Sequence, residues 1–105
     1  MLPGLSLFDM TGQTAIVTGG SKGLGKAIAE GLASAGANVA LISRNQSEAE
    51  AAAQEIADTY QTRTLGLEVD VTQQPAIEAM VATVFEKFGR IDALVNNAGI
   101  NIRGP

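Results

Sequence analysis

A glycine-rich segment, residues 18–25, separates a short apolar run from a stretch with helical spacing. The apolar run ends at Val17, and the helical pattern begins near Lys26. Where a strand leads through a tight turn into a helix, the free backbone N–H groups and the positive end of the helix dipole point at one place. A phosphate group fits there, and glycine lets the backbone approach it closely. The segment therefore predicts a phosphate-binding turn.

The spacing of the glycines separates this segment from two better-known phosphate loops. In the G-x-G-x-x-G pattern, the third glycine would fall where Ile28 stands. The P-loop pattern can be followed from Gly20 to Gly25 and Lys26. It fails at the next position, because Ala27 has no hydroxyl group for Mg²⁺. The spacing that remains is T-G-x-x-x-G-x-G.

Strand-like and helix-like stretches alternate along the chain. Apolar and β-branched runs predict strands over residues 14–17, 38–43, 64–69 and 91–95, with a helix after each of the first three. This alternation favours a parallel sheet with right-handed crossovers and helices on both faces. We therefore predict an α/β fold, a doubly wound Rossmann-type parallel sheet of strand order 3-2-1-4, in a single domain over residues 1–105. Ligands in such sheets bind at the carboxyl ends of the strands, where the strand order reverses.

Local signals delimit the three predicted helices. The pattern from Ser47 to Glu50 resembles a capping box that starts the second helix, and Gly36 and Gly89 predict the ends of the first and third. Repeats of three and four residues predict one apolar face on each helix. The first face consists of Leu24, Ile28, Leu32 and Ala35, the second of Ala49, Ala52, Ala53, Ile56, Ala57 and Tyr60, and the third of Ile77, Met80, Val81, Val84, Phe85 and Phe88.

Composition excludes several classes of function. The chain has neither cysteine nor histidine, which removes disulfides, thiolate nucleophiles, imidazole catalysis and the commonest metal ligands. A net charge of -4 offers no basic face to a nucleic acid. No apolar run has membrane-spanning length, and the first ten residues lack a cationic leader. We expect a cytoplasmic protein with no metal, nucleic-acid or membrane partner.

Three segments at successive strand ends together resemble the short-chain dehydrogenase/reductase family. They are residues 18–25, the pair Asp70 and Val71, and residues 96–99. The resemblance implies a Rossmann-type domain that binds NADP, with NAD less favoured, and that stops before the catalytic half. It also implies an oxidoreductase that interconverts a secondary alcohol and a ketone, of sugar-acid, polyol or 3-oxoacyl type, and that is a homo-oligomer at full length.

Within the first segment, the resemblance assigns the pyrophosphate turn. Gly19, Gly23 and Gly25 would form the turn itself. The backbones of Ser21 and Leu24 would lie close to the dinucleotide. The alternative interpretation is that these glycines serve only the turn and its packing.

The other two segments would contact the two ends of the dinucleotide. Asp70 would accept a hydrogen bond from the exocyclic amine of adenine, and the backbone of Val71 would bind a ring nitrogen. Asn97, Ala98 and Gly99 would line the ribose on the nicotinamide side. The alternatives are a turn aspartate at Asp70 and a plain asparagine-rich turn after the fourth strand.

The end of the second predicted strand bears on which dinucleotide is bound. NAD sites usually place a carboxylate there, to accept from the ribose hydroxyls. This chain has Ser43, Arg44 and Asn45 instead. The guanidinium group of Arg44 suits a 2′-phosphate, and Lys22 is a second cation within reach. Two cations and no acid favour NADP, unless both cations are solvated surface charges.

The residues that perform hydride-transfer chemistry in this family are not found in the chain. The family uses a serine, a tyrosine and a lysine four positions after that tyrosine. Tyr60 is the one tyrosine, and Thr64 stands four residues after it. We therefore predict that Tyr60 packs in the core and that the chain holds no catalytic residue. A non-catalytic, stand-alone dinucleotide-binding module is the alternative.

Overall fold

The computed structural model describes residues 9–97, and these residues form one parallel sheet with helices on both faces. The strands are β1 (Thr14–Thr18), β2 (Asn38–Ser43), β3 (Thr64–Glu68) and β4 (Ala93–Asn96). The helices are α1 (Gly23–Ser34), α2 (Gln46–Tyr60) and α3 (Gln74–Phe88). The strand order is β3-β2-β1-β4, with every pair parallel. The predicted fold class and strand order are confirmed.

The two central strands are buried on both faces. Val17 and Leu41 pack with α1 and α2 in one core cluster. Their neighbours Ile16 and Ile42 pack with α3 in the second cluster, on the opposite face. Successive side chains of a strand point to opposite faces, so a covered sheet requires an unbroken apolar run. Each of these fully buried side chains contributes about 1.5–3 kcal/mol relative to an exposed one.

The buried stripe of α1 differs from the predicted one by one position. Gly25, Ala29 and Ala33 are the buried residues of the helix, whereas Leu24 is 58% exposed. Leu32 is only half-buried at the margin of the core. Both series recur every four residues, so periodicity alone does not separate them. The small series is the buried one because it brings the helix close to the sheet.

The amino end of α2 is capped by a residue other than the predicted one. The side-chain Oδ1 of Asn45 accepts a hydrogen bond from the backbone N–H of Glu48 at 3.0 Å. Ser47, expected at the cap, donates its hydroxyl to the same oxygen at 2.7 Å. The capping-box prediction was therefore wrong by two residues. The predicted apolar face of α2 is confirmed in its buried members, which are Ala49, Ala52, Ala53 and Ile56.

The third helix matches its predicted end and four of the six residues of its predicted face, of which Ile77 and Phe88 are half-buried. Gly89 terminates α3 in the left-handed conformation, at φ 80°. Met80 and Val84 are buried against the sheet. Val81 and Phe85, expected in the core, are 40% and 57% exposed. Within residues 9–97, no helix has the length and apolar character needed to cross a membrane.

A carboxylate sets the position of β4 beside β1. Asp92 Oδ2 accepts the backbone N–H of Thr14 at 2.8 Å, and the backbone N–H of Asp92 donates to Thr14 O at 2.8 Å. Arg90 binds both carboxylate oxygens of Asp92, and this hydrogen bonding lowers the pKa of that carboxyl. Because residue 92 belongs to this clamp, β4 begins at Ala93 and not at the predicted residue 91.

Gly66 in β3 marks the closest approach of α2 to the sheet. A Cβ atom at Gly66 would lie 2.4 Å from the backbone oxygen of Ala49. We predict that Gly66→Ala lowers the free energy of unfolding by about 1–3 kcal/mol, because the helix must shift outward. Urea denaturation measures the change.

Gly31→Ala is the matched control for that substitution. Gly31 lies in the middle of α1, and a Cβ there would meet nothing within 4 Å. Alanine is the better helix former, so this variant should be about 0.5–1 kcal/mol more stable. Equal effects of the two substitutions would contradict the packing described for α2 and β3.

Candidate functional site

The turn between β1 and α1 consists of residues 19–22, and α1 begins at Gly23. The predicted start near Lys26 was wrong, because the last glycines of the segment already belong to the first helical turn. Lys22 occupies the cap position in an extended conformation, and no side chain caps this end of α1. The first turn also contains no acidic residue. The first-turn N–H groups of α1 therefore have no side-chain cap within the described residues. They lie with the positive end of the helix dipole at the carboxyl end of β1.

The three predicted turn glycines are needed for two different reasons. Gly19 and Gly23 have positive φ angles of 67° and 55°. A Cβ atom at Gly25 would lie 1.9 Å from Gly19 O and 2.8 Å from Asn97 Nδ2. A Cβ at Gly23 would meet nothing within 4 Å, so the space over the start of α1 is open. Open space above uncapped N–H groups fits a diphosphate.

Gly20, which the sequence analysis did not assign to the site, anchors the turn to β2. Its backbone N–H donates to Ile42 O at 3.1 Å. A Cβ at Gly20 would lie 3.0 Å from Val17 O, so a larger residue would press against β1. In the sequence, the glycine directly after Gly19 was the feature that could have indicated this close contact with the strands.

Ser43 connects the glycine turn with the end of β2. The hydroxyl of Ser21 donates to Ser43 Oγ at 3.2 Å. The backbone N–H of Asn45 donates to the same oxygen, also at 3.2 Å. The side chain of Asn45 faces α2, which it caps. The ends of β1 and β2 therefore lie together at one edge of the sheet, as the predicted topology requires.

The end of β4 meets the glycine turn at the point where the strand order reverses. Thr18 Oγ1 is hydrogen-bonded to Asn96 Oδ1 at 2.9 Å. Asn97 Nδ2 lies 3.5 Å from Gly19 O. The expected meeting of the two segments is confirmed for Asn97. Ala98 and Gly99 lie outside the described residues.

Asp70 lies just beyond β3 and forms a local turn. Its Oδ1 accepts the hydroxyl of Thr72 at 2.6 Å and the backbone N–H of Thr72 at 3.0 Å. These hydrogen bonds lower the pKa of the Asp70 carboxyl, so it is ionised at neutral pH. Both bonds go to Oδ1, which leaves Oδ2 for another donor. Val71 beside it is half-buried against the second core cluster, which holds its backbone in place.

Arg44 and Asp70 line the same cleft. The cleft has a volume of about 210 Å³, and Glu68 and Val69 complete its lining. The side chain of Arg44 is exposed, and among residues 9–97 it forms no ion pair. Its charge helps to lower the pKa of Asp70. The predicted adenine and 2′-phosphate residues are thus neighbours.

The second predicted cation, Lys22, is paired with an acid. Lys22 Nζ lies 2.8 Å from Glu48 Oε1 in the first turn of α2, and this hydrogen bond raises the pKa of Lys22. The interpretation of two cations without an acid was therefore wrong. Glu48 was not predicted from the sequence, because it lies five positions after Ser43, which marks the strand end where NAD sites carry an acid. Its signal was its place in the first turn of a helix, where acids are favoured.

The remaining predictions concern catalysis and metals. Tyr60 is half-buried and packs against the core cluster of α1 and α2, as expected of a packing residue. In the part of the chain that the structure describes, no group of three Asp, Glu, His or Cys residues could hold a metal ion.

Most of the chain matches one protein family. Residues 13–105 match the family model of the short chain dehydrogenases. The chain is 40% identical over 93 residues to glucose 1-dehydrogenase 2 of Bacillus subtilis. It is 42% identical over 92 residues to a 3-oxoacyl-(acyl-carrier-protein) reductase of Vibrio cholerae. These alignments cover 89% and 88% of this chain but 36% of each relative, so the chain spans about a third of their length.

Solved structures agree in fold with this chain. L-sorbose reductase from Gluconobacter frateurii, in complex with NADPH and L-sorbose, has a TM-score of 0.84 and 37% identity, covering 93% of this chain and 37% of that one. NADPH-dependent 3-quinuclidinone reductase from Rhodotorula rubra has a TM-score of 0.82 and 31% identity, covering 90% and 36%. The β1–α1 glycine turn, the 3-2-1-4 sheet and the family match agree, and the chain belongs to the short-chain dehydrogenase family.

Proposed function

We propose that this chain is the dinucleotide-binding, amino-terminal part of a cytoplasmic NADP(H)-dependent oxidoreductase that interconverts a secondary alcohol and a ketone. The observation that carries the proposal is the uncapped amino end of α1, with open space over Gly23. The bound nicotinamide supplies or accepts the hydride. Residues 1–105 form one domain in this proposal, and the full-length protein is a homo-oligomer that takes a small carbonyl or alcohol substrate.

The chain's own residues bind and orient the dinucleotide. The first-turn N–H groups from Gly23 onward hold the diphosphate through hydrogen bonds and the helix dipole. Asn97, beside the glycine turn, lies on the nicotinamide side. Asp70 Oδ2 and the Val71 backbone receive the adenine on the other side. These contacts hold the dinucleotide across the carboxyl edge of β1.

The preference for NADP is supported by Arg44 at the end of β2, whose guanidinium group forms no ion pair among the described residues. A guanidinium group binds phosphate through two parallel hydrogen bonds, whereas a carboxylate at this place would repel it. The NADPH complex of the Gluconobacter frateurii L-sorbose reductase and the NADPH-dependent Rhodotorula rubra reductase support the same preference.

The substrate class is proposed from the relatives. Glucose 1-dehydrogenase 2 and L-sorbose reductase favour a polyol or sugar-type substrate. The 3-oxoacyl reductases favour an acyl substrate. The alternative to the enzyme is a non-catalytic, stand-alone dinucleotide-binding module.

Carbonyl reduction separates the enzyme from the module. The full-length protein should oxidise NADPH, followed at 340 nm, in the presence of sorbose, gluconate-type ketones or a 3-oxoacyl thioester. Turnover with at least one class supports the enzyme. Tight NADPH binding without turnover of any of them favours the module.

Gly23→Ala tests the diphosphate site. We predict that this variant weakens NADPH and NADH alike, by about tenfold or more, because a methyl group enters the space where a charge-assisted hydrogen bond forms. Cofactor fluorescence measures both affinities. Gly89→Ala is the matched control, since Gly89 also has a positive φ and no atom within 4 Å of its Cβ position. Equal losses in both variants would indicate backbone strain rather than a phosphate site.

Arg44→Asp tests the preference for NADP. We predict that it weakens NADPH about 10-fold to 100-fold more than NADH, because a charge-assisted hydrogen bond is replaced by repulsion. Lys87→Glu makes the same change of charge in the last turn of α3, at the opposite edge of the sheet. Fluorescence titration with both cofactors measures the ratio. Equal losses for NADPH and NADH in the Arg44 variant would rule out its contact with the 2′-phosphate.

A further inference from the structure

The two cations at the mouth of the site are not equivalent. Arg44 lines a cleft with Glu68 and Asp70 but forms no ion pair within residues 9–97, whereas Lys22 Nζ lies 2.8 Å from Glu48 Oε1. The side chains of Lys22 and Glu48 are 75% and 40% exposed, so a ligand can reach the pair. Any anion that binds Lys22 must therefore compete with a carboxylate that is already in place.

The backbone of Glu48 is fixed at the start of α2. Its backbone N–H donates to Asn45 Oδ1 at 3.0 Å, which locks the first turn of α2. The positive end of the α2 dipole favours a negative charge in this turn. The hydrogen bond to Glu48 and the charge of Glu48 raise the pKa of Lys22, which keeps the Lys22 ammonium group charged.

A second ion pair, between Lys26 and Glu55, joins α1 and α2. Lys26 Nζ lies 2.5 Å from Glu55 Oε1, farther along the same two helices. That pair is closer to the core, with 29% of the Lys26 side chain exposed. Exposed ion pairs contribute little to stability. Structural support between α1 and α2 therefore does not account for Glu48.

We propose that Glu48 is a specificity-determining residue that limits the preference for NADP, because it competes with the 2′-phosphate for Lys22. The inference rests on the proposed dinucleotide site. A 2′-phosphate carries about -1.5 to -2 charges at neutral pH, so it competes with the Glu48 carboxylate for the ammonium group of Lys22. NAD has no group at this position, so its affinity is insensitive to Glu48.

Glu48→Gln in the full-length protein tests the proposal. Glutamine keeps the size and the helical propensity of the residue but not its charge. NADPH should bind about two- to fivefold more tightly, and NADH should bind as before. The gain should shrink at 1 M salt, where the Debye length falls to about 3 Å. Cofactor fluorescence measures both affinities.

Glu50→Gln is the matched control. Glu50 lies on the same helix and is exposed, but it accepts a hydrogen bond from Gln46 Nε2 at 2.9 Å instead of pairing with a cation. It should leave the NADPH/NADH ratio unchanged. In a Lys22→Met background, Glu48→Gln should lose most of its effect. A gain that persists there in full overturns the competition for Lys22.

The outcomes distinguish this inference from the proposed function. Failure of the unmodified full-length protein to bind either cofactor overturns both. Normal NADPH binding with an unchanged NADPH/NADH ratio in Glu48→Gln overturns the role of Glu48 alone. A weaker affinity for NADPH in that variant also overturns it, because Glu48 would then be positioning Lys22 for the phosphate.

Discussion

The position of β1 between β2 and β4 is the constraint on which the site depends. All five residues of β1 are buried, and both of its edges are paired. Parallel pairing brings the carboxyl ends of the strands to one edge, and the reversal of order at β1 leaves a crevice there. The glycine turn, Ser43 and Asn97 meet in that crevice although they are distant in sequence.

The close approach of the α1 backbone to Gly19 and Asn97 determines which groups line the crevice. The absent side chain of Gly25 lets the start of α1 lie against Gly19 and Asn97. Large side chains on the buried stripe of α1 would hold the helix away from the sheet, and the small residues Ala29 and Ala33 avoid this. The same small residues that build the core therefore place the positive end of a helix dipole over the carboxyl edge of β1.

Charge at the mouth of the crevice comes from the turns after β1 and β2 and from the first turn of α2. Arg44 is contributed by the end of β2, and Lys22 by the cap position of α1. Glu48 reaches Lys22 from the first turn of α2. The Lys22–Glu48 ion pair thus joins the amino ends of α1 and α2. The first turn of α1 contains no acidic residue, whereas the first turn of α2 contains Glu48. The distance between these charges is set by the tertiary structure.

Sequence pattern alone determined the element order, the parallel sheet and the glycine turn, because alternating buried strands and helices leave few topologies and glycine spacing reports backbone conformation directly. It also located Arg44, Asp70 and Asn97 at strand ends. Only the tertiary structure decided that Ala29 and Ala33 are buried in place of Leu24, since both series share one period. It alone paired Lys22 with Glu48, because the two residues belong to separate helices and their distance depends on how those helices pack.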